Sequence, residues 1–425
     1  MVMAGKIALQ EYNVSFGDKE IALAVDRFGS PLWLYDFEVI AKRIWDLRSF
    51  GVVRYAQKAA SNINLLSRMR GLGVDIDAIS AGEIVRALHA GFEPSQIKYT
   101  SDVLDKDALA LLKEHSIPVN IGSLDMLFQL NEAGIKVPLT VRINPGFGHG
   151  YSNKVNTGGE FSKHGVWHTY LPNLMKKAEE LGFIVECLHV HIGSGSDYIH
   201  LSQVVSAMEH AVGTIGAVGT TLKNISVGGG LPVSYKRDEN WHIDLEKYYN
   251  IWDSARKRIS NNIGHYFQLE VEPGRYLTAE SCVLAAEIRA VKKMGKNLFY
   301  LVDAGFTDLI RPAFYGAYHH ISIIPRNGIK ATEEAEVIIA GPLCESCDVF
   351  TQEEGGVVVS RKLPLAQVGD LLVIHDVGAY GSAMSSNYNS RLLAPEILWE
   401  NGAFTQIRKR QSFEHLLENE MMEQQ

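Results

Sequence analysis

Short β-branched runs alternate with amphipathic stretches from about residue 50 to about residue 275. The runs lie at 52–56, 74–77, 97–100, a short one at Val119 and Asn120, then 139–143, 185–191, 225–228 and 267–272. A brief apolar run between polar stretches reads as a buried strand. Between the runs, apolar residues recur at helical spacing. Ile63, Leu66 and Met69 open one such stretch, and 81–90, 105–113, 124–133, 171–181, 201–218 and 245–258 continue the series. Ser80 stands three residues before Glu83, the spacing of a capping box, and predicts a helix start at Ala81. Eight strands alternating with helices predict an α/β chain built as a (β/α)8 barrel of the TIM type. A doubly wound open sheet has the same alternation, and spacing alone does not separate the two.

After Glu280 the pattern changes. Segments 283–290, 298–303, 337–340, 357–360 and 371–375 read as strands separated by turns, which predicts a second, mostly β domain. The first thirty-odd residues also look strand-like and are expected to pack with it. The expected division is a barrel over 36–275 and a C-terminal β domain over 276–425 joined by 1–35.

Composition narrows the class. A chain of 425 residues is too long for one ordinary core. A net charge of -8 does not point to nucleic acid or an anionic membrane as a main partner, and no apolar run is long enough to span a bilayer. The N-terminal stretch shows neither the apolar core nor the cleavage site of a signal peptide. The cysteines are Cys187, Cys282, Cys344 and Cys347, too few in so long a chain for a disulfide scaffold, so the cytoplasm is expected. Cys344 and Cys347 form a C-x-x-C with no second pair, and no metal site is expected.

Active groups of such a barrel sit at the C-terminal ends of its strands. Polar residues and glycines fall there repeatedly: Lys58, Asp77, Arg142, His189 and His191, Gly228 to Gly230, then Glu272, Gly274 and Arg275. Each alone has an ordinary explanation, such as a solvated lysine, a flexible turn or a core histidine. Their recurrence at six strand ends points to one shared site. The glycines, with Gly193 and Gly195, let backbone N–H groups approach an anion, and the small residues are expected to lead into helix N-termini that favour phosphate. Arg275 adds a charge-assisted bond. A lysine beside a phosphate pocket suits a Schiff base to pyridoxal 5'-phosphate, with Glu272 at the pyridine nitrogen and His191 on the ring face.

The motifs YAQKA, RINPGFGHG, NTGGEFSKHG, HVHIGSG, VGGG, EPGR, VDAGFTDLIRPAFYGAYH, GPLCESCD and GAY occur in that order along nearly the whole chain. With them the chain resembles the alanine-racemase-like, fold type III pyridoxal-phosphate enzymes, and within these the diaminopimelate decarboxylase family. Segments 142–165 and 385–391 are similar to the enteric branch of that family. The resemblance implies that Lys58 carries the cofactor and later moves a proton, and that His191 stacks on the ring. It implies phosphate contacts from Ser194, Gly228, Gly229, Gly230, Gly274 and Arg275, with Glu272 at the pyridine nitrogen and Pro273 among the cofactor-binding residues. Arg275, Arg311, Tyr315, Glu345 and Tyr380 are implied as substrate contacts, Tyr380 also touching phosphate. Cys344 is implied as the acid that protonates carbon after CO2 leaves, supplied by the other subunit of a homodimer. The lysine motif reads KAAS where many members have KAN, and Cys347 adds a second thiol; neither removes a required group.

The activity so implied is decarboxylation of meso-diaminopimelate at its D-centre, giving L-lysine and CO2 in the last step of lysine biosynthesis. The distal half of that substrate is itself an amino acid, so it needs a carboxylate clamp and an ammonium acceptor. Arg275, Arg311 and the tyrosines suit the first, and Glu345 the second. The alternatives are a decarboxylase of the same fold acting on ornithine, arginine or a carboxylated polyamine, a racemase, or a non-catalytic pyridoxal-phosphate-binding barrel. A distal cation would face Arg311 unfavourably. The racemases place an arginine where Glu272 stands, and the non-catalytic barrels lack the β domain that carries CESCD.

Overall fold

The computed structural model describes residues 14–148, 156–193, 198–215, 221–236 and 243–420. Eight parallel strands close into a barrel: Val52–Ala56, Asp75–Ala78, Ile97–Thr100, Val119–Ile121, Leu139–Asn144, Val185–Val190, Asn224–Ser226 and Gln268–Val271. Each pairs with its neighbour in chain order, and the eighth returns to the first, with Glu270 opposite Val52 and Val271 opposite Val53. Closure leaves no exposed edge and excludes the open sheet.

Helices cover the outside, with starts set by local chemistry. Ser80 accepts from the Glu83 N–H at 3.2 Å, while the Glu83 carboxylate accepts from the Ile79 N–H at 2.8 Å, one residue before the usual box partner. Asp105, Ser123 and Asp244 cap the helices Lys106–His115, Leu124–Glu132 and Leu245–Ile263 in the same manner.

The barrel interior is polar in layers. Lys98 of the third strand reaches Glu270 of the eighth, and Arg54 Nε of the first donates to the same carboxylate oxygen at 2.9 Å. Strands that are not neighbours meet only across the lumen, so these side chains point inward. All three are buried. Burial alone would raise the Glu270 carboxyl, but Arg54 and Lys98 outweigh it and hold it far below the usual range.

The second unit is a nine-stranded sheet. The long strand Cys282–Met294 runs antiparallel to Leu32–Asp36, Asn297–Val302 and Leu371–Ile374. Leu32–Asp36 also pairs in parallel with Glu396–Glu400. Of the first thirty-odd residues, 1–13 lie outside the described ones; the rest join this sheet, though not wholly as strand: Asp18–Phe28 is a helix. Its apolar residues Ile21, Ala24 and Val25 fall at helical spacing and are buried against Leu32, Leu34 and Val283. Segment 357–360 forms strand only over Val357–Val358, and Arg361–Pro364 carries the next pairing, with Glu334–Ala340. No described helix is long and apolar enough to cross a membrane.

Glu270→Ala should destabilise the fold by about 3–5 kcal/mol, because it leaves the buried Lys98 without its carboxylate and Arg54 with Asp75 as its remaining counter-charge. Replacing the trio together (Arg54→Met, Lys98→Met, Glu270→Leu) should cost much less. Denaturant midpoints for the two proteins check this; equal losses would show that volume, not charge, governs the position.

Candidate active site

Side chains on a strand alternate faces, so inward positions recur every two residues. From Arg54 the step leads to Ala56 and then Lys58. From Lys98 it leads to Thr100 and Asp102, from Thr140 to Arg142 and Asn144, and from Cys187 to His189 and His191. From Glu270 it leads to Glu272 and Gly274. At the C-terminal mouth these positions converge on a cavity of about 870 Å³. Its walls include Lys58, Asp77, Arg142, His189, His191, Gly229, Gly230, Glu272, Gly274, Arg275, Arg311, Tyr315 and Tyr380.

Lys58 sits in the one-turn helix Gln57–Ala59 directly after the first strand. Three contacts fix that turn. Tyr55 Oη donates to the Ala60 carbonyl at 3.0 Å, Gln57 Nε2 to the Glu83 carbonyl at 3.0 Å, and the Tyr380 N–H to the Ala59 carbonyl at 2.8 Å. The last comes from the β unit, with Tyr380 at φ 59°, a left-handed conformation costly for a tyrosine.

Glu272 forms the floor. Ser226 Oγ donates to it at 2.8 Å, and His189 Nε2 lies 3.2 Å from its other oxygen. Asn120 Nδ2 donates to His189 Nδ1 at 2.7 Å, which leaves the imidazole proton on Nε2, facing Glu272. Burial and the nearby Arg142 push His189 well below its ordinary value, so it stays neutral. Burial, with Asp77 alongside, pushes the Glu272 carboxyl up to about 8. Asp77 is itself raised by burial, and its Oδ1 meets no partner among the described residues.

The glycine run is required by close approach. A Cβ on Gly228 would stand 2.3 Å from the Val190 carbonyl oxygen, one on Gly229 2.2 Å from that of Glu272, and one on Gly230 2.2 Å from that of Gly193. Gly228 and Gly230 also have φ of +70° and +86°. The run does not lead into a helix as expected; 231–236 is irregular. It is wedged between the sixth and eighth strand ends, and that contact rather than a helix start places its backbone at the cavity. Pro273 acts through its carbonyl, which accepts from the Ala56 N–H at 3.0 Å.

On the β-unit side, Tyr235 Oη accepts from Arg275 Nη1 at 2.7 Å and from Arg311 Nη1 at 3.1 Å. Arg311 Nη1 also donates to His319 Nε2 at 3.0 Å, and the Arg275 guanidinium lies 5.0 Å from the Tyr380 ring centre. Cys344 and Glu345 are not among the residues lining this cavity. Cys344 is exposed, its N–H bonded to Asn389, and Glu345 accepts from Tyr388 Oη. Ser194 lies outside the described residues.

Among the residues that sequence alone does not single out, Asp102, His164 and Tyr235 line the cavity, and His319 stands behind it against Arg311. Asp102, whose Oδ2 is 2.6 Å from His164 Nδ1, lies on the two-residue step beyond Thr100, and that step was the available signal. His164, Tyr235 and His319 lie outside the barrel strands, where no periodicity marks them.

The residues fit a phosphate-bearing pyridine aldehyde. An amine stands at one strand end, a buried carboxyl at the floor, and backbone at a glycine run beside a guanidinium. Residues 40–279 match the family described as "Pyridoxal-dependent decarboxylase, pyridoxal binding domain". The diaminopimelate decarboxylase of Escherichia coli K12 is 50% identical over 93% of this chain and 94% of its own. That of Methanothermobacter thermautotrophicus is 33% identical over 95% of each. A crystal structure of diaminopimelate decarboxylase superposes with a TM-score of 0.93 at 48% identity, covering 98% of this chain and 99% of that one. The Helicobacter pylori enzyme complexed with L-lysine gives 0.84 at 30% identity, covering 93% and 98%.

The raised Glu272 carboxyl has a consequence for stability in cofactor-stripped protein. An unfolded glutamate titrates near ~4.3, the folded one at about 8. Between those values the folded state binds more protons, so stability falls as pH rises through that window and is flat beyond it. Urea unfolding at pH 6 and pH 8.5 should show a smaller loss for Glu272→Gln than for wild type. Equal losses would place the proton elsewhere.

Proposed function

The chain belongs to the pyridoxal-dependent decarboxylases, and we propose that it releases CO2 from the D-centre of meso-diaminopimelate to leave L-lysine, with Lys58 holding the cofactor. The cofactor is pyridoxal phosphate. The observation that carries the substrate assignment is the pair of guanidiniums, Arg275 and Arg311, joined through Tyr235 on the wall of the cavity that Lys58 also lines. Two fixed cations suit a substrate with carboxylates at both ends. Ornithine or arginine would bring a distal cation against Arg311, which is buried and cannot shed that repulsion into water.

When bound, the cofactor supplies an electron sink for the bond to the departing carboxylate. The protein does the rest. Gly228 to Gly230, Gly274, Arg275, Tyr380 and Ser194 hold phosphate. His191 backs the ring face. Glu272 would stand at the ring nitrogen, where its ionised carboxylate would accept from the N–H and favour the protonated ring. Lys58 carries the cofactor, then moves a proton and frees the product. Arg311 and Tyr315 take the distal carboxylate and Glu345 the distal ammonium. Cys344 protonates the carbon that has lost CO2.

On this reading the protein is a cytoplasmic homodimer, with a barrel unit over 36–275 and a β unit over 276–425 with 1–35. The support for a shared site is the separation within one chain of Cys344 and Glu345 from the cavity they are needed in.

Purified protein given meso-diaminopimelate should yield CO2 and L-lysine together, with ornithine at least a hundredfold poorer. Lys58→Ala should lose both turnover and the visible absorbance of lysine-bound cofactor. A variant that keeps that absorbance through borohydride reduction and dialysis would remove Lys58 from its role, and equal turnover of ornithine would sink the substrate assignment.

Sharing is tested by mixed dimers. Lys58→Ala alone should be inactive and Cys344→Ala strongly impaired. Dissociated, mixed in equal amounts and reassembled, they should regain roughly one quarter of wild-type sites, by the statistics of a two-fold dimer. CO2 release no higher than the mean of the two mutants, with exchange verified by tags, would put both residues in one chain's site.

A further inference from the structure

The hydroxyl of Tyr235 can be followed atom by atom. A phenol oxygen has two acceptor positions and one proton. Both acceptor positions are taken, by Arg275 Nη1 at 2.7 Å and Arg311 Nη1 at 3.1 Å. The one remaining capacity is the proton, and Tyr235 lines the cavity. Two guanidiniums bonded to the oxygen also polarise the O–H, making it a stronger donor.

Arg311 can be counted the same way. Nη1 has two protons; one goes to Tyr235 and the other to His319 Nε2 at 3.0 Å. His319 Nδ1 lies 3.0 Å from the His375 carbonyl oxygen, an acceptor only, so Nδ1 carries the imidazole proton and Nε2 must accept. That arrangement fixes the plane of the guanidinium. Arg311 is buried, and its Nε has no partner among the described residues. The edge formed by Nε and Nη2 is therefore the one left for a planar anion.

We propose that Tyr235 is a substrate-recognition residue, whose hydroxyl donates to the distal carboxylate of the substrate beside the Nε/Nη2 edge of Arg311, with His319 as the positioning residue that sets that edge. This rests on the proposed substrate. It adds a third donor to the carboxylate clamp and a reason for its geometry. Tyr235 is unlike the other clamp residues in coming from the loop that follows the seventh strand and the glycine run.

Tyr235→Phe is the test, because the ring is retained. Its edge contact with His319, centroids 5.1 Å apart, and its position 4.9 Å from the Arg311 guanidinium do not need the hydroxyl. The probes are L-lysine, which keeps the distal carboxylate of the substrate, and cadaverine, which has the same two amines and no carboxylate. Competitive inhibition constants are measured in the holoenzyme, alongside the cofactor absorbance. In Tyr235→Phe the constant for L-lysine should rise at least tenfold and that for cadaverine less than twofold, and KM for meso-diaminopimelate should rise more than kcat falls. No change for L-lysine, or the same change for both amines, would overturn the proposal, as would loss of the cofactor absorbance. The functional reading fails separately, if the wild-type enzyme releases no CO2 from meso-diaminopimelate.

Discussion

The structure depends on one buried carboxylate held between two cations. Glu270 joins the first, third and eighth strands across the barrel lumen through Arg54 and Lys98. A barrel filled with aliphatic side chains would close without such a trio. Here the lumen must instead step from structural to reactive groups within two residues, and a polar layer beneath the site lets that step occur without leaving an unpaired charge at the boundary.

Glu270 and Glu272 show what that layer does. They lie two residues apart, face the same lumen and are both buried. Between its two cations, Glu270 is held ionised far below the ordinary range. Glu272 has a neutral histidine, a serine and the acidic Asp77 for neighbours, and burial lifts it to about 8. Environment, not residue type, divides the pair into a strut and a proton holder. Exchanging their surroundings would undo both roles, because a raised carboxyl beneath the site would leave Lys98 uncompensated and Arg54 with Asp75 alone.

Much of this was legible in the chain because barrel strands are periodic. The eight apolar runs correspond to the eight strands, and Lys58, His191 and Glu272 fall at strand ends because inward positions recur every second residue, while Arg275 opens the short helix just beyond Gly274. Where periodicity ends, so does legibility. The segment 18–28 looks strand-like in sequence yet forms a helix, and the spacing of Ile21, Ala24 and Val25 is the helical signal in it. Tyr235 follows a glycine run in an irregular segment, and His319 follows a short helix. Tyr235 meets Arg311 across 76 residues and His319 meets it across 8, and neither separation is marked by a strand or helix period.

The two units are joined at the point where the chemistry needs rigidity. The Tyr380 N–H reaches the turn that carries Lys58, and its left-handed backbone is the strain accepted for that contact. A few residues on, Ser382 and Asn62 both donate to the buried Glu396. Asn62 in turn caps the helix Ile63–Gly71 that follows Lys58, accepting from the Asn64 N–H at 3.0 Å. One β-unit carboxylate thus ties the Tyr380 loop to the helix start beyond the lysine. Lys58 is held from below by the first barrel strand and from above by the sheet, so its amine moves only through its own side-chain torsions. That restriction serves a residue that must first hold the cofactor and then deliver a proton at a fixed place.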